Sequence, residues 1–341
     1  MKFLFALMLN FVVALSVGHA QTIQGKGSSF PLALYLKWAA IYQKQTGVTI
    51  DYTDIGTTAG LDSVKKGLAT FAASNRPLKE EELEAHGLLQ FPVVMSGVVP
   101  VVNMADVRPG RLRLSSAVLV GICTGKITRW TDPAIRQLNP DVFLPAAPIT
   151  VLTRQDSSGM TYLLSHYLSR SNPEWKSRIG VGPDVKFPVG LAVNGLDSTL
   201  AQLIQHPNSI AFVDYATVRK NRLTYVQLQN KTGHFVAPDF GSFQAAARGF
   251  PWQGAMDNTT TDAPDPSAWP IASPSYVIVR HRHKNNNTAV HMQQALAFFE
   301  WAAGHGDQIA DDINFVPMPL DVKMAVIRSV SDRLLDSEHV K

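Results

Sequence analysis

Apolar positions recur at helical and strand periods in alternation along this chain, which is the pattern of α/β layers. Residues 32–45 carry Leu32, Leu36, Ala39, Ala40 and Tyr42 at spacings that predict a helix with those side chains inward. Residues 48–52 predict a strand ending at Ile55-Gly56, residues 61–68 a short helix, and residues 70–74 a second strand that carries Asn75 and Arg76 at its end. In open α/β sheets ligands gather at such carboxyl ends. Residues 91–103 read as a strand rich in valine, interrupted by Ser96-Gly97. Glycine absorbs backbone change cheaply, so this interruption predicts a crossing between two lobes.

The second half repeats the alternation. Residues 112–123 predict a helix, and Trp130-Thr131-Asp132-Pro133 a helix start with proline in the first turn. A strand over 149–153 runs into a helix over 160–168, followed by a helix within 194–205 and a strand over 210–213. Residues 254–270, rich in Asp, Thr and Pro, predict a loop. A strand over 275–280 precedes two helices. The first, over 290–303, has Met292, Ala295, Leu296, Phe298, Phe299 and Trp301 as apolar positions; the second, over 321–335, has Val322, Ala325, Val326, Val330 and Leu334. Stripes of this kind are core faces rather than cofactor boxes. There is no internal repeat and no low-complexity tract.

The amino terminus changes the picture of where the chain works. Lys2 precedes an apolar run over 3–17, and Gly18-His19-Ala20 has the small residues of a secretory cleavage site, so residues 1–20 predict a signal peptide cut near Ala20. The mature chain would start near Gln21 as a soluble periplasmic or secreted protein. Cys123 is the single cysteine, far from the cleavage site, so neither lipid attachment there nor an internal disulfide is expected. The chain holds 31 Lys and Arg against 27 Asp and Glu, and Lys2 leaves with the leader. That mild excess implies no nucleic-acid partner. The run Arg280-His281-Arg282-His283-Lys284 reads as a solvated loop, and His281-x-His283 has no neighbouring carboxylate to complete a metal site.

Candidate chemistry lies in three Ser/Thr/Gly-rich stretches that each open a helix: Ser28-Ser29-Phe30-Pro31, Gly56-Thr57-Thr58-Ala59-Gly60 and Arg154-Gln155-Asp156-Ser157-Ser158-Gly159. Helix N-termini offer unpaired N–H groups and partial positive charge, so several converging on one cleft would hold a tetrahedral oxyanion. Each stretch also has a plainer reading. Ser29 and Thr57 would serve equally as helix caps, and Arg154 with Asp156 as a surface ion pair.

Taken in order, Gly25-x-Gly27-Ser28-Ser29-Phe30-Pro31, Lys37-Trp38, the stretch from Ile55 to Gly60, and Phe71-Ala72-Ala73-Ser74-Asn75-Arg76-Pro77-Leu78 resemble the periplasmic phosphate-binding proteins of the Pst ABC transport system. Gly125-Lys126-Ile127-Thr128-Arg129-Trp130, Leu138-Asn139-Pro140, Arg154-x-Asp156-x-Ser158-Gly159, Trp269-Pro270-Ile271 and Phe298-Phe299-x-Trp301 continue the resemblance over nearly all of the mature chain.

The resemblance implies an α/β, two-lobe periplasmic-binding-protein fold of type II-like topology, with a ligand cleft between lobes. Lobe I would comprise 21–96 plus 273–341, and lobe II 97–272. It implies capture of phosphate or a related oxyanion for import through a membrane ABC permease, by a monomer with no cofactor, no metal and no catalytic residue. Ser29, Phe30, Thr57, Asn75, Arg154, Ser158, Gly159 and Met160 fall on the family's ligand-binding positions, and Asp156 on the carboxylate that orients the arginine.

Two departures stand out. The family has aspartate where this chain has Asn75, and threonine where it has Met160. The aspartate accepts a bond from a protonated phosphate oxygen and repels sulfate; an asparagine amide can present either its oxygen or its NH₂. Selectivity against sulfate should weaken, and Met160 should lower affinity, with Thr161 a partial substitute. Gly195-Leu196-Asp197-Ser198 is also less glycine-rich than the family's turn. A secreted phosphatase and a non-transport sensor that lost phosphate specificity are the competing functions.

Overall fold

The computed structural model describes residues 22–248, 261–281 and 286–339. The signal peptide with its cleavage point, the segment 254–260 and the residues Arg282, His283 and Lys284 lie outside the described residues. The first elements are β1 (Thr22–Gly27), α1 (Leu32–Thr46), β2 (Thr49–Asp54), α2 (Thr57–Lys65), β3 (Phe71–Ser74), α3 (Glu80–His86) and β4 (Leu88–Val102). Then follow β5 (Arg113–Leu114), α4 (Ser116–Cys123), α5 (Pro133–Leu138), β6 (Thr150–Arg154), α6 (Gly159–Ser171), α7 (Pro173–Arg178), β7 (Leu191–Val193) and α8 (Gly195–Gln205). The remainder comprises β8 (Ser209–Asp214), α9 (Tyr215–Asn221), β9 (Gln227–Gln229), β10 (Phe235–Val236), α10 (Phe240–Arg248), β11 (Ala272–Arg280), α11 (Asn286–His305), α12 (Asp307–Asp312), β12 (Val316–Pro317) and α13 (Leu320–His339).

One long sheet runs β2-β1-β3-β11-β4-β8-β6-β7, with β12 also on β4, and β10-β9-β5 form a small second sheet. Strand β4 joins two halves. Its first part, through Gly97, lies antiparallel to β11, and from Val98 to Val102 it pairs with β8. The change of partner falls at the Ser96-Gly97 interruption noted in the sequence. The return chain passes beside it: Val98 N–H donates to Ile271 O at 2.9 Å and Trp269 Nε1 to Val98 O at 3.0 Å. Within each half the strands bearing the site run parallel, β1 with β2 and β3, and β6 with β7 and β8.

The inward face of α1 differs from the expected one. Leu34, Tyr35, Trp38, Ala39 and Tyr42 are buried, whereas Leu36 is 48 % exposed and Ala40 is exposed. Aromatic burial decides this. Tyr35 packs edge-on to Tyr52 and Phe299 with ring centroids 5.1 and 5.5 Å apart, and Tyr42 packs against Phe298 at 5.3 Å. Rings of that size bury more area than the leucine they displace. The helix expected over 112–123 also starts later, because Arg113–Leu114 pair with β9 and Ser115 Oγ accepts from Val118 N–H as the cap of α4. The stripe of α11 is core as expected, with Ala295, Phe298 and Phe299 buried; on α13 Val322 and Val326 are buried.

Candidate functional site

Parallel strands point their carboxyl ends to one edge of each half-sheet, and four chain segments leave those ends toward a common cleft of about 740 Å³. Strand β1 delivers Ser28 and Ser29; β2 delivers Asp54 and, through Ile55-Gly56, the start of α2; β6 delivers Arg154 and the start of α6; β7 delivers Asn194 and Gly195. Strand β3 ends at Ser74, so Asn75 lies beneath the cleft floor, fully buried. Helix α2 reaches the floor through one close approach: a side chain at Gly60 would place Cβ 2.4 Å from Gly27 Cα. Glycine is required there to seat the helix against the end of β1.

The hydroxyls settle between capping and other uses. Helix α1 has Pro31 at its N-cap position and no side-chain cap, so neither Ser28 nor Ser29 is consumed there. Ser28 Oγ accepts from Phe30 N–H at 3.3 Å and donates to Asn75 Oδ1 at 2.9 Å. Helix α2 likewise has Gly56 at its cap and no side-chain cap. Thr57, its first residue, is buried, and its Oγ1 has no hydrogen-bond partner; Asn75 Nδ2 is in the same condition. Ser158 does cap, its Oγ accepting from Met160 N–H at 3.2 Å.

Arg154 and Asp156 form a fork. Arg154 Nε donates to Asp156 Oδ1 at 3.0 Å and Nη2 donates to Oδ2, while Gly195 N–H donates to Oδ1 at 2.9 Å. Burial pushes the Asp156 carboxyl up, but these bonds and the guanidinium charge outweigh it and hold the group below its ordinary range. It therefore stays ionised at neutral pH. Asp54 moves the other way: loss of water raises it, the Gly56 N–H and Arg154 pull it down less, and Asp156 adds to the rise. Its Oδ1 accepts from Gly56 N–H at 3.2 Å. Among the described residues bordering the cleft, Arg154 is the only cation, beside Asp54, Asp62, Asp156 and Asp197, and none is a histidine.

The two walls touch. Thr58 Oγ1 and Ser157 Oγ lie 2.7 Å apart, and a Cβ at Gly159 would stand 2.7 Å from Asn75 Oδ1. The walls belong to the opposite halves of the sheet, so these contacts join the two halves beside the cleft.

Of the residues singled out from sequence, Ser29, Thr57, Arg154, Asp156, Ser158 and Gly159 border this cleft, and Asn75 sits between Ser28 and Gly159. Phe30 and Met160 do not. The Phe30 ring packs on Phe315 at 5.2 Å, and Met160 and Thr161 line a separate small gap with Leu152, Leu164 and Phe212 that Arg154 also borders. The backbone N–H groups of Phe30 and Met160 are engaged by Ser28 Oγ and Ser158 Oγ. Thr58 and Ser157 lie inside the candidate stretches without being singled out there, whereas Asp54 and Asn194 are cleft residues that the sequence reading does not name. The placement of Asp54 at the end of β2, immediately before a glycine-opened helix, was a usable signal; nothing in the sequence marks the meeting of Thr58 with Ser157, 99 positions apart.

Comparison with known proteins adds kinship to this geometry. The PBP superfamily domain matches residues 15–305. "Phosphate-binding protein PstS" of Haemophilus influenzae is 38% identical over 310 residues, covering 90% of this chain and 92% of the relative. The protein of the same name from Xylella fastidiosa is 37% identical over 299 residues, 87% of this chain and 81% of its own. Among solved structures, a high affinity periplasmic phosphate-binding protein bound with phosphate superimposes with a TM-score of 0.70 at 18% identity, covering 90% of this chain and 93% of that one. An ABC-type phosphate transport receptor from Vibrio cholerae gives 0.59 at 20% identity, covering 88% and 100%. These two likenesses speak for the fold alone.

Proposed function

This chain belongs to the PBP superfamily and, within it, to the phosphate-binding proteins named PstS, and on that footing we propose that its cleft captures inorganic phosphate or a related tetrahedral oxyanion for a membrane ABC permease. One observation carries the reading to this site: Thr57 Oγ1 and Asn75 Nδ2 are buried beside two helix N-termini without any partner in the protein. A buried polar group left unpaired costs about 1–3 kcal/mol, and an anion with four acceptor oxygens relieves several such groups at once. Thr57 and Ser29 supply hydroxyls, the first turns of α2 and α6 supply N–H groups, and Arg154 supplies the charge. Phe30 and Met160 act from behind, by fixing the serines that their N–H groups bond.

The two-lobe periplasmic-binding-protein fold makes this capture without chemistry. We assign lobe I to 21–96 plus 273–341 and lobe II to 97–272, supported by the change of partner along β4 at Gly97. Hinge motion at that crossing opens and closes the cleft. No helix among the described residues is long and apolar enough to cross a membrane. The leader ending near Ala20 would export the chain to the periplasm, where it acts as a monomer. Calorimetry of the exported protein should give one phosphate bound reversibly per chain. An absence of heat with phosphate, sulfate and arsenate alike would overturn the reading.

The bond between Thr58 and Ser157 crosses the mouth and exists only while the walls meet. Because both hydroxyls reach solvent when apart, its loss should act on release rather than capture. Ser157→Gly is expected to speed phosphate release by roughly threefold to tenfold, the range of one hydrogen bond, with association unchanged in stopped-flow fluorescence. Equal changes in both rates would show that the pair has no latching role.

A further inference from the structure

A second cavity, of about 170 Å³, lies between α11, α12 and α13 beside the first part of β4. None of its lining residues borders the oxyanion cleft. Trp38, Phe91, Val94, Phe299, Val326 and Val330 give it apolar walls. Protein interiors hold few spaces larger than a water molecule, and water is poorly held where polar partners are scarce. The polar side chains of this border divide by position. Glu300, Asp307 and Ser331 are exposed and stand at the rim, whereas Lys323 is drawn inside and is only 8 % exposed. Lys323 Nζ donates to Ala303 O at 3.2 Å and to Asp307 Oδ1, which places two of the three protons an ammonium carries. The third serves an acceptor on a guest. Glu300 and Asp307 set two carboxylates at this border against one ammonium, so an anionic guest would add a further negative charge, while a hydroxyl accepts the proton and adds none.

We infer that this cavity binds a small uncharged amphiphile, an alcohol whose apolar chain lies against Trp38 and Phe299 and whose hydroxyl meets Lys323. A cavity of about 150 Å³ with Leu, Ile and Phe walls takes a benzene-sized guest, so a chain of about six carbons fits this one. The site is independent of the oxyanion cleft and stands whether or not that cleft holds phosphate.

The test is titration of the exported chain with the linear alcohols from butan-1-ol to octan-1-ol, followed by tryptophan fluorescence, because Trp38 is part of the wall. Binding should saturate, with affinity rising roughly fourfold per methylene up to hexan-1-ol and no further gain at octan-1-ol. Hexanoate should bind at least about tenfold more weakly than hexan-1-ol. Ala303→Phe fills the cavity from α11 and should abolish saturable alcohol binding. Lys323→Met removes the donor, keeps the walls apolar and should weaken hexan-1-ol about tenfold. Melting temperatures of both variants report the fold. Absence of saturable binding in the wild type, hexanoate binding as well as hexan-1-ol, or full affinity in either folded variant would overturn the inference.

Discussion

Arg154→Ala is expected to lower phosphate affinity by roughly 10²–10³-fold, the equivalent of about 3–4 kcal/mol. Three effects add. The guanidinium is the only cation among the described residues bordering the cleft. Two of its five donors go to Asp156, through Nε and Nη2, so the rest remain for an anion. Removing it also strips Asp156 of the group that offsets its burial, leaving a carboxylate whose charge is no longer neutralised beside the site. Arg154→Lys separates charge from geometry: an ammonium keeps the positive field but cannot form the planar fork, so an intermediate loss is expected. The measurement is phosphate affinity by calorimetry, with thermal unfolding of the ligand-free variants as control for the fold. Affinity unchanged in Arg154→Ala would remove the guanidinium from ligand contact.

Gly159→Ala should weaken phosphate binding about a hundredfold without destabilising the empty protein. The added Cβ would stand 2.7 Å from Asn75 Oδ1 and 2.8 Å from Asn75 Cβ, both in the opposite half of the sheet. Asn75 is buried and tied to Ser28, so it cannot yield as a flexible surface chain does. The walls must separate instead, and separation stretches every bond that an enclosed anion makes to both sides at once, at about 1.4 kcal/mol per factor of ten. Opening relieves the collision in the absence of ligand, so the melting temperature of the empty variant should match wild type while the shift induced by phosphate shrinks. An undiminished phosphate-induced shift would show that closure does not bring these residues together.

Much of this was written in local sequence. The alternation of helical and strand periods set the α/β class, and the Ser96-Gly97 break marked where β4 changes partners. Asp132 and Pro133 announced α5, because a cap is decided by residues adjacent in the chain. Where reading failed, a distant neighbour decided. Leu36 has as good a claim to the inside of α1 as Tyr35, until Tyr52, Phe71 and Phe299 arrive from other elements to enclose the tyrosine. Residues 112–114 have helical character until β9 offers Arg113–Leu114 a partner.

The site divides along the same line. Sequence by itself determined the inventory: hydroxyls and glycines opening helices after strands, an arginine two residues from an aspartate, an asparagine at a strand end. These follow from short-range chemistry, since capping, turns and i to i+2 forks involve neighbours along the chain. Only the tertiary structure decided how each group is spent. Ser158 caps its own helix, Thr57 is left unpaired, Ser28 turns the amide of Asn75, and Met160 is drawn into the packing behind Arg154. A hydrogen-bonding group has few partners to give, and which of them it meets is set by the folding together of β1, β3 and β6, strands far apart in the chain whose relative placement no local pattern encodes.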